Sequence, residues 1–131
     1  MAAESSPAVS GVPVVLLRLE GLGLFALGVL FYAQSGARWS FFAVLFLVPD
    51  VSFAGYLAGP RIGAAVYNAA HTMLGPIMLA GTGLTLAQPL AISLAVIWAA
   101  HIGFDRMLGY GLKYGTGFGF THLGRIGQAA P

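Results

Sequence analysis

The chain contains no cysteine, which excludes disulfides, thiol catalysis and iron–sulfur ligation while leaving the compartment open on that count. Charge is nearly as scarce. Only 8% of the 131 residues are Asp, Glu, Lys or Arg, against 58% apolar, whereas an ordinary soluble domain carries about a quarter charged. A soluble fold of this size could not cover its surface with so few charges, so the expected solvent is a bilayer. The basic residues are scattered and leave a net charge of only +2. They form no basic face of the kind nucleic-acid binding needs, so no nucleic-acid partner is expected. No Lys or Arg precedes Arg18, and the basic n-region of a secretory signal is missing as well.

What the chain does have is long apolar runs. About 20 residues, rising 1.5 Å each, cross the hydrocarbon, and four runs reach that length: 12–33, 39–57, 62–87 and 90–112. Turn signals separate them at Gln34-Ser-Gly-Ala-Arg38, Ala58-Gly59-Pro60-Arg61 and Gln88-Pro89. Pro49 removes a backbone hydrogen bond and is expected to kink the second run beside Asp50. The predicted fold class is an all-α membrane protein, a bundle of four transmembrane helices forming one integral domain over residues 1–131. The small, polar residues 1–11 read as a frayed tail and 113–131 as a cytoplasmic tail too polar to cross again. Arg61, Lys113 and Arg125 fall on one side and only Arg38 in the opposite loops, which places both termini in the cytoplasm. The expected location is the bacterial inner membrane.

The ionisable residues inside the runs carry the chemical information. Counted at 1.5 Å per residue from the cytoplasmic ends, Glu20, Asp50, His71, His101 and Asp105 all lie roughly 11–17 Å deep. Such groups are costly in hydrocarbon and tend to face the bundle interior. His101 and Asp105, four residues apart, share a helix face. Neutral imidazoles and carboxylates from facing helices are a ligand set for zinc, iron or manganese. Asp50, His71, His101 and Asp105 make a two-His, two-carboxylate set, and His122 is a third imidazole if the glycine-rich tail folds back. Arg106, rotated about 100° from Asp105 on the same helix, is the candidate for holding an anionic head group. The competing reading is structural: the same groups pair with one another, Asp105 with Arg106 or Arg18 and Asp50 with His71 or Tyr67. Arg18 itself reads as a snorkelling residue. Glycines at 21, 23, 28, 55, 59, 63, 75, 81 and 83 mark close helix packing, with a homodimer face as the alternative. The tail Tyr114-Gly-Thr-Gly-Phe-Gly-Phe-Thr-His lacks the spacing of a nucleotide-binding loop.

Three stretches, Pro49-Asp50-x-Ser52-x-x-Gly55-Tyr56, Tyr67-Asn68-x-x-His71 and HIGFDRMLGYGLKY…FTHLGRIG, resemble a family of small bacterial four-helix integral membrane proteins of unknown function. The resemblance runs from Trp39 to Gly127. It implies the membrane and the bundle, and it supplies no activity. A fainter similarity to membrane-bound metal-dependent hydrolases rests on the LPD-type segment ending at Asp50 and the later intramembrane histidines, although the denser Asp-His clusters of those enzymes are missing here.

Three functional classes follow. The first is a membrane-embedded enzyme, a metal-dependent hydrolase or oxidoreductase acting on a lipid-like substrate, with Asp50, His71, His101, Asp105 and Arg106 as catalytic or ligating groups. The second is a small transporter or proton pathway assembled from two or more copies. The third is a structural accessory subunit. The bilayer is the expected partner in all three.

Overall fold

The computed structural model describes residues 7–126. Of the expected tails 1–11 and 113–131, residues 1–6 and 127–131 lie outside the described residues. Helix α1 spans Val12–Gln34, α2 Trp39–Phe46, and a 3₁₀ segment Val48–Ala58 continues α2. Helix α3 covers Pro60–His71, α4 Leu74–Thr85 and α5 Pro89–Leu108. Three helices are long and apolar enough to cross a membrane: α1, the α2–3₁₀ unit Trp39–Ala58, and α5.

The third expected span is not one helix but two, and proline is the reason. Pro76 brings no N–H, and its ring would collide with the carbonyl of Thr72 four residues earlier. Thr72 accordingly turns extended, with φ −86° and ψ 149°, and α4 starts afresh so that Pro76 sits in its first turn. A parallel break divides the second run. The helix tightens to 3₁₀ from Val48, with Pro49 in its first turn. Eleven residues is long for this geometry, which rarely persists beyond three or four. Both breaks fall beside a candidate ligand, Asp50 in one and His71 in the other.

The fourth run ends earlier than its apolar pattern suggested. Gly109 adopts a left-handed conformation with φ 90° and closes α5. The N–H of Tyr110 then reaches back to the carbonyl of Asp105 at 2.8 Å. The tail does not remain free either. Phe120–Thr121 and Gly124–Arg125 form a two-stranded antiparallel hairpin, β1 and β2, with Thr121 opposite Gly124. The expected all-α chain thus carries one small β element. The tail also meets the other end of the chain, where the N–H of Val9 donates to the carbonyl of His122 at 2.8 Å.

Packing is inverted relative to a soluble protein. Val15, Leu16, Leu19, Leu22, Leu27, Leu30 and Phe31 of α1 point outwards, while the buried set mixes small residues (Ala64, Ala95, Ala100), a few large ones (Tyr32, Tyr67, Ile97, Ile102) and the polar His71 and His101. Such a surface suits lipid, and small residues at the seams let backbones approach. Helices α1 and α5 cross backbone to backbone. A Cβ on Gly21 would stand 2.6 Å from Cβ of Arg106 and 2.7 Å from the carbonyl oxygen of Gly103. Gly28, Gly55, Gly63, Gly75 and Gly83 are similarly crowded, while Gly23, Gly59 and Gly81 have nothing within 4 Å.

Candidate metal centre

Three separate segments deliver four donor atoms to one point. The 3₁₀ segment brings Asp50 Oδ1, the last residue of α3 brings His71 Nε2, and α5 brings His101 Nε2 and Asp105 Oδ2 from one face. Both imidazoles meet at 3.2 Å between their Nε2 atoms. His71 Nε2 lies 3.4 Å from Asp50 Oδ1 and 3.4 Å from Asp105 Oδ2. His101 Nε2 lies 3.3 Å and 3.2 Å from the same two oxygens. All four residues place a donor atom within 4.8 Å of every other.

Hydrogen counting shows what these contacts lack. The Nδ1 of His71 sits 2.9 Å from the carbonyl oxygen of Tyr67. A carbonyl only accepts, so Nδ1 carries the hydrogen, and the Nε2 of a neutral ring presents a bare lone pair. That lone pair faces another ring nitrogen and two carboxylate oxygens. Even two imidazolium rings would bring one Nε2 hydrogen each to five short contacts. One cation at the centre satisfies all four donors together. The dimensions agree: a tetrahedral ion with bonds of about 2.0–2.1 Å has donor–donor edges of about 3.3–3.4 Å. The Tyr67 contact is of the kind that would orient a ligating histidine, and the Tyr67 ring stacks on the imidazole with centroids 3.8 Å apart and planes 9° off parallel.

The shared helix face of His101 and Asp105 brings the carboxylate to the ring nitrogen that faces the group, Nε2. His101 Nδ1 is buried against the Phe46 backbone with no hydrogen bond of good geometry. Phe46 also packs edge-on against the ring at 5.1 Å. The histidines are closed in, at 3% and 2% exposed, whereas Asp105 is 15% and Asp50 40% exposed. The group is therefore accessible from its carboxylate side.

The other sequence candidates lie elsewhere. Arg106 does not pair with an acid among the described residues. Its Nη2 donates to the His71 carbonyl at 3.4 Å, which ties α5 to the end of α3 beside the ligand. Arg18 Nε donates to the carbonyl of Met107 at 2.9 Å, and Glu20 is exposed on α1. His122 does fold back with the tail, but not into the group. Its Nδ1 accepts the N–H of Leu112 at 2.9 Å, and burial followed by the Arg106 charge holds it below the ordinary histidine value.

Lys113 is the residue that sequence reasoning passed over. It counted only as a charge marking the cytoplasmic side. In the fold its side chain is 4% exposed, with Nζ 3.7 Å from the Phe118 ring centroid and 4.9 Å from that of Tyr67. Asn68 puts it there, donating to the Lys113 carbonyl at 2.8 Å and accepting its N–H at 2.6 Å, as a neighbouring strand would. Lys113 shares a cavity of about 320 Å³ with Asp50 and Asp105, walled by Phe53, Tyr67, Tyr110, Phe118 and Ile126. The available signal was its place after the Gly109 helix stop and its status as the chain's sole lysine.

Burial pushes the Lys113 ammonium down to about 8 from 10.5, against the opposing pull of Asp105. Because the folded value is lowered, the unfolded chain binds the proton more tightly across that window, and stability should rise as pH climbs through it. With lysine labelled by ¹³C at Cε, the single signal should titrate near pH 8; a midpoint of 10 or above would contradict the burial.

Neither a curated protein nor a solved structure matches this chain. A protein-family model does. The model described as "Domain of unknown function (DUF4260)" matches residues 14–126, from the start of α1 through the β-hairpin, and the chain belongs to that family.

Proposed function

We propose that this protein is a membrane-embedded divalent-metal protein, with Asp50, His71, His101 and Asp105 as ligands and metal-assisted hydrolysis of a lipid-like substrate as its activity. The observation that carries this reading is the set of five donor–donor distances of 3.2–3.4 Å, the edge lengths of a tetrahedral ion. Two nitrogens and two oxygens suit zinc, and also iron or manganese. A bound ion would supply Lewis acidity. The chain's own residues orient it, exclude water on the histidine side and leave the carboxylate side open to the cavity.

The transporter reading is weaker because a path needs polar groups on both sides of the site. The cavity on the Pro49 side, about 290 Å³, is lined by Leu45, Val48, Pro49, Ser52, Ala70, Leu79, Leu94, Ile97 and Trp98, with no ionisable group. It suits an acyl chain better than an ion.

In this reading α3 and α4 together make the fourth crossing. The hydrogen bond from Val9 to His122 supports it, because chain ends that meet on one side require an even number of crossings. The basic bias supports a cytoplasmic position for that side, with the bacterial inner membrane as the proposed location. Helices broken at membrane depth are tolerated where they line a site rather than lipid. Association of two copies through lipid-facing α1 belongs to the same proposal.

Elemental analysis of detergent-purified protein is the test. About one divalent ion per chain is expected, retained through gel filtration. Protein that arrives metal-free and takes up no zinc, iron or manganese would end the metal reading.

A further inference from the structure

We propose that the cavity between the carboxylates and Lys113 is a receptor for an anionic head group, so that the ligand of this site is an amphiphile bearing a phosphate or carboxylate. The inference deepens the metal reading and shares its site, but it stands on separate residues. Lys113 is a residue only 4% exposed, with no carboxylate partner within ion-pair distance among the described residues. Its ammonium lies over the aromatic faces of Phe118 and Tyr67. Burying a charge without a counter-ion is costly, and such groups are normally paired. Here the chain goes out of its way to bury it, through the double hydrogen bond from Asn68.

The cavity that Lys113 lines holds two carboxylates on its other wall, and these belong to the metal group. A divalent ion held by Asp50 and Asp105 would offset their charge and leave Lys113 to attract an anion. Without an ion, Lys113 is the basic residue among those lining the cavity, and the two carboxylates there would weaken anion binding. The remaining wall is aromatic, which fits the glycerol or acyl portion next to a head group. Burial has already lowered the proton affinity of Lys113, as expected for an ammonium awaiting its counter-charge.

The single lysine makes a direct test possible on the intact chain. Protein carrying ¹³Cε-lysine is titrated in neutral detergent with dioctanoyl phosphatidic acid, with inorganic phosphate and with uncharged dioctanoylglycerol, in zinc-loaded and chelator-treated forms. The Lys113 signal should move and its titration midpoint rise with phosphatidic acid, and not with dioctanoylglycerol. An equal response to inorganic phosphate would assign the site to a free anion rather than a lipid. Lys113→Met should weaken phosphatidic acid binding at least about tenfold, the scale of one charged hydrogen bond, and Lys113→Arg should restore part of it. A Lys113 signal unmoved by both anions overturns the proposal, even if zinc binds. A response that persists in protein unable to bind zinc keeps this inference and removes the metal reading.

Discussion

His101→Ala should leave the purified protein with almost no bound metal. The variant removes one of the four donors and leaves His71 as the single imidazole against two carboxylates. Loss of an outer hydrogen bond alone typically costs 10–100-fold in metal affinity, so loss of a ligand should exceed about 100-fold. His71→Ala should act equally, because its Nε2 makes the same set of contacts. Asp105→Asn is the sharper variant: it keeps the shape, and an amide oxygen still reaches the group, but the charge is gone. Metal content should fall while the protein still extracts and migrates as a folded species. In a merely structural cluster the outcome differs. Metal content would be nil in wild type as well, and Asp105→Asn would lower the melting temperature in detergent with nothing else to lose. Inductively coupled plasma analysis and a melting curve on the same samples separate the cases.

The second large effect concerns the α1–α5 crossing. Gly21→Ala and Gly103→Ala should each destabilise the fold severely, although alanine improves helix propensity by up to about 1 kcal/mol over glycine. At Gly103 a Cβ would lie 2.7 Å from the Gly21 carbonyl oxygen and 2.8 Å from the Phe25 nitrogen. These are backbone atoms, which have no rotamer to change, so the two helices must separate. Overpacking of this kind costs about 1–3 kcal/mol or more, and the clash outweighs the propensity gain. Gly23→Ala is the control, with open space around it, and it should be neutral or slightly stabilising. Melting temperatures in detergent should order as Gly23→Ala at or above wild type, with Gly21→Ala and Gly103→Ala well below. Because α5 carries His101 and Asp105, the two destabilised variants should also lose metal. Equal melting temperatures for all three would mean that the crossing is looser than described.

Much of this was legible in the residues. Counting depth along apolar runs brought Asp50, His71, His101 and Asp105 to one level, and the fold brings those four together. The reason is that ionisable groups in hydrocarbon have few stable destinations besides one another. Depth is a one-dimensional quantity, however, and says nothing about azimuth. Glu20 had the right depth and sits on the outer face of α1. Arg106 was expected to find a head group or an acid, and it holds a backbone carbonyl instead. The division of the third run was written in Pro76, but a proline inside a membrane run signals a kink or a full break equally well. The tail was least legible. Its fold depends on Asn68, a residue 45 positions away that mimics a strand edge, and no local pattern announces such a pairing.

The Asn68 clamp has a consequence for biogenesis. The ribosome releases Asp50 and His71 first, and both wait in the bilayer as half of a site until α5 supplies His101 and Asp105 on a single helix turn. The segment that covers the carboxylates, from Gly109 onwards, is made last and docks onto a residue of α3 already in place. On the proposed metal reading, capture of the ion would precede closure of the cavity. An ion can enter through the side that the tail later roofs, and Lys113 arrives only once the carboxylates have had the chance to be neutralised. On the same reading, a chain that met no metal during synthesis would close its cavity with the ammonium and two bare carboxylates lining it, so the supply of metal would set the charge that the finished cavity offers.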